Sequence, residues 1–161
     1  MVSERNESIF SNARVVLRDR VIERGWVAVA QGAIAEIGEG DAPERGEDMG
    51  GDLLMPGLIE LHTDHLEAHY VPRPKVFWDP VAAVVSYDGQ LATSGITTVL
   101  DSLRVWREEG AEDVDGQASI LAEAISSARD AKLLRAEHFL HLRCEIPMPS
   151  VVEEAEELIG R

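Results

Sequence analysis

Cysteine is nearly missing from these 161 residues. Cys144 stands alone, which excludes an internal disulfide and suits a reducing compartment. Lysine is almost as scarce, with only Lys75 and Lys132. Arginine supplies the other cations; its planar fork is favoured for phosphate, although genome composition explains the bias more simply. Basic side chains number 15 against 30 acidic ones, giving a net charge of −15 and a pI near 4.6. So acidic a surface repels nucleic acid and anionic membranes, and neither is expected as a partner. No run approaches the ~18 apolar residues of a membrane span. Met1 leads into Ser-Glu-Arg-Asn, with no basic-then-apolar signal segment. A soluble, cytoplasmic chain is the expectation.

What is present points to an α/β fold. Hydrophobic residues make up 45% of the chain, enough for a globular core. Residues 9–17 and 21–37 alternate as half-buried strands do, and Gln31-Gly32 has the chemistry of a hairpin turn. Residues 38–52 are rich in glycine and acid, lack periodicity, and read as a solvated loop. An apolar strand follows at 53–61. Asp79-Pro80 pairs an N-cap with a first-turn proline and opens a helix to about Thr93, which Gly95 ends. Residues 96–101 form a β-branched strand and 104–113 a charged loop. A helix at 114–134, a strand at 137–146 and an acidic-faced helix at 149–159 complete the pass. Alternating strand and helix is the βα repeat of a parallel sheet.

The segment from Leu53 to Tyr70, LLMPGLIELHTDHLEAHY, concentrates the chemistry. An apolar strand ends in His62, Asp64 and His65, with Glu67 and His69 just beyond. Imidazole and carboxylate hold divalent cations, and α/β enzymes keep their chemistry at strand ends. On an extended strand, residues two apart point to one side, so His62 and Asp64 could grip one ion together. The plain alternative is a satisfied polar pair at a strand end. His65 and His69 are spaced for one helix face, but Glu67 sits at neither position used by helical zinc-protease motifs.

In 137–146, His141, Arg143 and Glu145 share one side of the strand, with Leu142 and Cys144 on the other. Burying three such groups unpaired would be costly. Either a metal-and-phosphate site or a structural His-Arg-Glu network would satisfy them. Asp101, at the end of its strand, reads either as a metal ligand or an orienting group behind a metal site, or equally as a cap for the next loop. Arg73 and Lys75 lie in a proline-rich loop that could preset a cationic wall or simply be exposed. His138 reads as structural, and Cys144 as a packing residue.

The string PGLIELHTDHLE resembles the first-strand signature of the amidohydrolase superfamily. HYVPRPKVFWDP, YDGQLATSGITTVLDSL and RAEHFLHLRCEIP follow in the order seen in its phosphonate-catabolic diphosphatase branch. The resemblance runs from about Ile9 to the C-terminus. It implies the N-terminal part of a metal-dependent-hydrolase (β/α)8 barrel beside a small β-sandwich. Residues 1–52 would give sandwich strands, and 53–161 the first three βα units of a barrel left incomplete. Closed barrels take ~250 residues, so the chain is expected to be the N-terminal piece of an enzyme.

The resemblance also implies a divalent metal, Zn, Mn or similar, that makes hydroxide available at neutral pH. His62, Asp64 and Glu145 would hold it. Arg73, Lys75, His141 and Arg143 would face a small phosphorylated sugar, with His65 and Asp101 behind the site. The implied reaction releases pyrophosphate from a ribose 5-triphosphate bearing a 1-methylphosphonate. Histidines and an aspartate of later strands would complete the site; no histidine follows His141, so no catalytic base is assigned and the chain alone is expected to be inactive. Two positions depart from the branch, His65 where Asn is expected and Tyr87 where His is expected. The alternatives are an amidohydrolase of cyclic amides or N-acyl groups, and a non-catalytic fragment or interaction module. Uncovered barrel strands would favour self-association.

Overall fold

The computed structural model describes residues 7–105 and 117–160. They fall into two compact units, Met1–Pro56 and Gly57–Arg161.

The first unit is a mixed five-stranded sheet. Strands β1 (Glu7–Val16), β2 (Val21–Ala30) and β3 (Ala33–Glu39) form an antiparallel meander, while β4 (Glu47–Asp48) and β5 (Leu53–Leu54) pair parallel to β1. The Gln31-Gly32 turn is as expected: both residues take positive φ, 54° and 78°, the geometry of a two-residue hairpin. Alternation buries Ala13, Val15, Ile22 and Val27 on one face. Trp26 packs over Gly38, its cross-strand partner, where only a missing Cβ leaves room for the indole. Phe10, Val15, Val29, Ile34, Ile37 and Met55 border an apolar cavity of about 370 Å³. Among the described residues this unit is one sheet, without a second sheet packed on it. The loop expected over 38–52 contains the short strand β4.

The second unit is a three-stranded parallel sheet in the order β6-β7-β8, from β6 (Leu58–Thr63), β7 (Ile96–Val105) and β8 (Glu137–Cys144). Its helices are α1 (His65–Tyr70), α2 (Pro80–Thr93), α3 (Gln117–Asp130) and α4 (Val151–Ile159). The βα repeat is therefore real, and three parallel strands leave no closed barrel. The strand read as continuous over 53–61 is divided: Leu53 and Leu54 belong to the first sheet, and Pro56-Gly57 separates them from β6. Helix α2 begins as its sequence dictates, with the Asp79 carboxylate accepting from the Ala82 N–H at 2.8 Å and Pro80 in the first turn. Most of the loop expected over 104–113 lies outside the described residues, although Arg104 and Val105 still belong to β7.

Helices α1, α2 and α3 cover one face of this sheet. Leu66, Val84, Tyr87, Leu91, Val99, Leu103, Leu121 and Ile125 form the core there. Both outer strands of the sheet are edges, and they expose apolar side chains: Leu58, Ile59 and Leu61 on β6, Phe139 and Leu140 on β8.

Candidate metal and phosphate site

Strand alternation divides the chemistry between the two faces of the parallel sheet. On β7, Val99, Asp101, Leu103 and Val105 are buried toward the helices, so Ser102 and Arg104 take the opposite, open face. The parallel register pairs Ser102 with His141 and Arg104 with Arg143. His141 and Arg143 thus share the open face, in keeping with the alternation in the sequence.

His62, the next-to-last residue of β6, reaches this face. Its Nδ1 lies 3.4 Å from Nε2 of His141, with the rings edge-on at 86°. Asp64 follows at the strand end as the N-cap residue of α1, without a side-chain capping bond. The Asp64 carboxylate accepts instead from Arg143 Nη1 at 2.5 Å. Glu145, one residue past β8, sits 3.3 Å from Nη2 of the same guanidinium. Arg143 therefore spans two carboxylates. Its hydrogen bond holds the Asp64 carboxyl below the usual carboxylate range.

Arg104 belongs to this group, although nothing in the sequence singled it out. It lies 3.7 Å from Glu67 of α1. Burial raises the Glu67 carboxyl, and Arg104 and then Arg143 oppose that rise. The signal that could have found Arg104 is its place two residues beyond Ser102, in register with Arg143. Arg104 and Arg143 are thus cross-strand neighbours on one face, and arginine donors are suited to phosphate oxygens.

The remaining candidates lie elsewhere. Arg73 and Lys75 are exposed in the loop between α1 and α2, Lys75 with φ of 63°. His65 stacks edge-on with His69 at 5.5 Å, above the buried Tyr87. Cys144 is exposed rather than packed. Asp101 is buried on the helix side, where its carboxylate meets His138 Nδ1 at 2.8 Å.

That contact is part of a buried network which includes a residue the sequence reading passed over, Asp88 of α2. Asp88 is fully buried. It accepts from the backbone N–H groups of Arg135 at 2.9 and 3.0 Å and of Ala136 at 2.8 Å, and it meets His138 Nε2 at 3.3 Å. Its signal was an aspartate in the apolar stripe of Val84, Tyr87 and Leu91. Burial pulls the His138 imidazole down, but Asp101 and Asp88 together outweigh it and hold the group above its ordinary value. Burial, with Asp101 nearby, raises the Tyr87 hydroxyl. This network ties α2 to β7 and β8 and belongs to the scaffold.

The chemistry of the donor set on the open face fits a metal only in part. It offers two imidazoles with nitrogens close together, while its carboxylates are bound to arginine. Among the described residues no group of three or more His, Cys, Asp and Glu side chains is placed to hold an ion. His62, Asp64 and Glu145 thus reach one neighbourhood through His141 and Arg143 without converging on a single point.

No protein-family model matches the chain. It is 39% identical over 155 residues to α-D-ribose 1-methylphosphonate 5-triphosphate diphosphatase of Escherichia coli (strain K12), an alignment that covers 95% of this chain and 40% of that protein. The chain is thus a homologue of that diphosphatase and spans about two-fifths of its length. Among solved structures, it superposes on an N-acetyl-D-glucosamine-6-phosphate deacetylase variant from Mycobacterium smegmatis with a TM-score of 0.53 and 17% identity, covering 84% of this chain and 32% of that one. A prolidase complexed with N-methylphosphonate-L-proline gives a TM-score of 0.54 at 16% identity, covering 86% and 32%. These two likenesses speak for the fold alone: the chain has the architecture of about a third of each of those chains.

Proposed function

We propose that this chain forms the N-terminal part of a metal-dependent diphosphatase, which releases pyrophosphate from α-D-ribose 1-methylphosphonate 5-triphosphate once the rest of a barrel is supplied. The observation that carries the reading is the meeting of His62, His141, Asp64, Arg143 and Arg104 on one open sheet face, in a chain 39% identical to such an enzyme.

A divalent ion at this face would supply hydroxide at neutral pH and draw charge from a phosphoryl oxygen. His62 would hold it, with Asp64 and Glu145 as carboxylates within the same group. Arg143 and Arg104 would bind triphosphate oxygens and offset the charge that develops as pyrophosphate leaves. Arg143 can do so by exchanging a carboxylate for a phosphate. Its contact to Glu145, at 3.3 Å, is looser than its 2.5 Å bond to Asp64.

The test joins this chain to the part of the Escherichia coli relative that it does not cover. The hybrid and the 161-residue chain alone are each given the triphosphate with divalent metal, and pyrophosphate is followed. Metal-dependent release by the hybrid, and none by the chain alone, is the expected result. Turnover only of a cyclic amide or an N-acyl compound would defeat the proposal.

A further inference from the structure

Arg73 and Lys75 do not stand on the sheet face with Arg143, yet they belong to the same end of the sheet. β6, β7 and β8 are parallel, and the Leu58 N–H donates to Gly95 O at 2.9 Å, so α2 finishes where β6 starts. Residues 64–79, between β6 and α2, therefore lie beyond the carboxyl ends of the strands, where Glu145 also lies and where α/β folds bind ligands. Helix α1 joins the two places. It starts beside Asp64, sets Glu67 3.7 Å from Arg104, and ends at the buried Tyr70. Its six residues span about 9 Å.

From Tyr70 the chain turns in a fixed way. The Trp78 N–H donates to the Tyr70 carbonyl at 2.9 Å, and the rings of Phe77 and Tyr70 pack 5.5 Å apart. Between them the Val76 N–H closes on the Arg73 carbonyl at 3.0 Å, with Pro74 second in the turn and Lys75, at φ 63°, third. That is the pattern of a type II turn, whose third position favours glycine or asparagine. The sequence places there one of its two lysines, in a chain of net charge −15. Arg73 and Lys75 are exposed, and Phe77 and Trp78 follow with 42% and 53% of their surface exposed. The turn thus holds out two cations and an indole on a backbone set beforehand by proline and hydrogen bonds.

A cationic turn at the same end as a cationic sheet face suits a ligand with an anionic group at each end. The proposed substrate is one, with a triphosphate at C5 and a methylphosphonate at C1. We infer that the turn is the specificity element of the site: Arg73 and Lys75 bind the phosphonate at C1, Trp78 lies against the apolar edge of the sugar, and Arg104 and Arg143 keep the phosphate chain. The inference rests on the diphosphatase reading for the identity of the ligand, and goes beyond it in stating which end of the sugar each cation takes. Arginine gives the phosphonate a two-pronged grip and lysine a point charge. Loops held by a rigid scaffold commonly carry such selective contacts. Ribose 5-phosphate, which lacks the anion at C1, is on this account a poor ligand.

The experiment titrates the ¹⁵N-labelled 161-residue chain with ribose 1-methylphosphonate 5-phosphate and, separately, with ribose 5-phosphate, following the N–H signals of Lys75 to Trp78. The parent chain should prefer the phosphonate by about tenfold. Lys75→Gly removes the cation and suits the positive φ, so the variant keeps its fold. It should bring the two sugars within about twofold of each other, and Lys75→Arg should keep the preference. Arg104→Gln should weaken both sugars alike and leave their ratio unchanged. The inference is overturned if the parent chain binds both sugars equally or neither, or if Lys75→Gly keeps the preference. A preference lost in Lys75→Gly, beside a hybrid enzyme that releases no pyrophosphate, would leave this assignment standing and remove only the diphosphatase reading. A hybrid that releases pyrophosphate, while Lys75→Gly keeps the preference, would do the reverse.

Discussion

Replacing Asp88 with asparagine should loosen the second unit more than any exposed change could. The carboxylate is fully buried and receives the Arg135 and Ala136 N–H groups and His138 Nε2. Asparagine keeps one acceptor oxygen and turns an amide NH₂ toward groups that also donate. One buried donor left unpaired costs about 1–3 kcal/mol, and breaking a buried ion pair costs about 3–5 kcal/mol. His138 retains Asp101, which places the total near the lower end, about 2–4 kcal/mol. Against a stability of roughly 5–15 kcal/mol, that is a large share. With a urea slope of about 1–3 kcal/mol per molar, the midpoint should fall by about 1–2 M. Among the described residues all four helices lie in this unit, so far-UV circular dichroism reports it selectively.

The pH dependence sharpens the test. His138 is held above its ordinary value of 6.5, so its contribution is complete below the unfolded value and is lost as pH rises through the folded one. The parent should therefore lose stability on going above pH 6.5, and Asp88→Asn should flatten that slope. A midpoint within about 0.3 M of the parent's, or an unchanged slope, would refute the reasoning.

Gly38→Ala should strain the first unit by about 1–3 kcal/mol, because the added Cβ meets the Trp26 indole; a thermal melt followed by tryptophan fluorescence checks it. Arg143→Gln should let the Asp64 carboxyl climb back toward its ordinary value, seen as a shifted carboxylate titration by carbon NMR; an unmoved titration would deny the guanidinium its role. Placing lysine at Leu61 and Phe139, exposed on the two edge strands, should reduce any self-association of the chain measured by light scattering.

Much of the fold was legible because local chemistry fixes it. Gln31-Gly32 supplies two positive-φ positions, Asp79-Pro80 starts a helix, and alternation in HLRC puts His141 and Arg143 on one side. The division at Pro56-Gly57 was harder to see. LLMPGLIEL is one apolar run, and hydrophobicity alone does not tell which sheet each leucine joins. The site was legible in kind but not in its pairings. Arg143 chooses Asp64 from 79 positions away, and Asp88 matters only once residues 47 and 48 positions later arrive beside it. Such pairings depend on strand order, which periodicity cannot supply.

The central claim, that the open face carries the metal end of a diphosphatase site, is tested most directly by pyrophosphate release from the hybrid enzyme with and without His62→Gln. The account predicts metal-dependent release that falls by about a hundredfold or more in the variant. Release that is indifferent to His62 would contradict it.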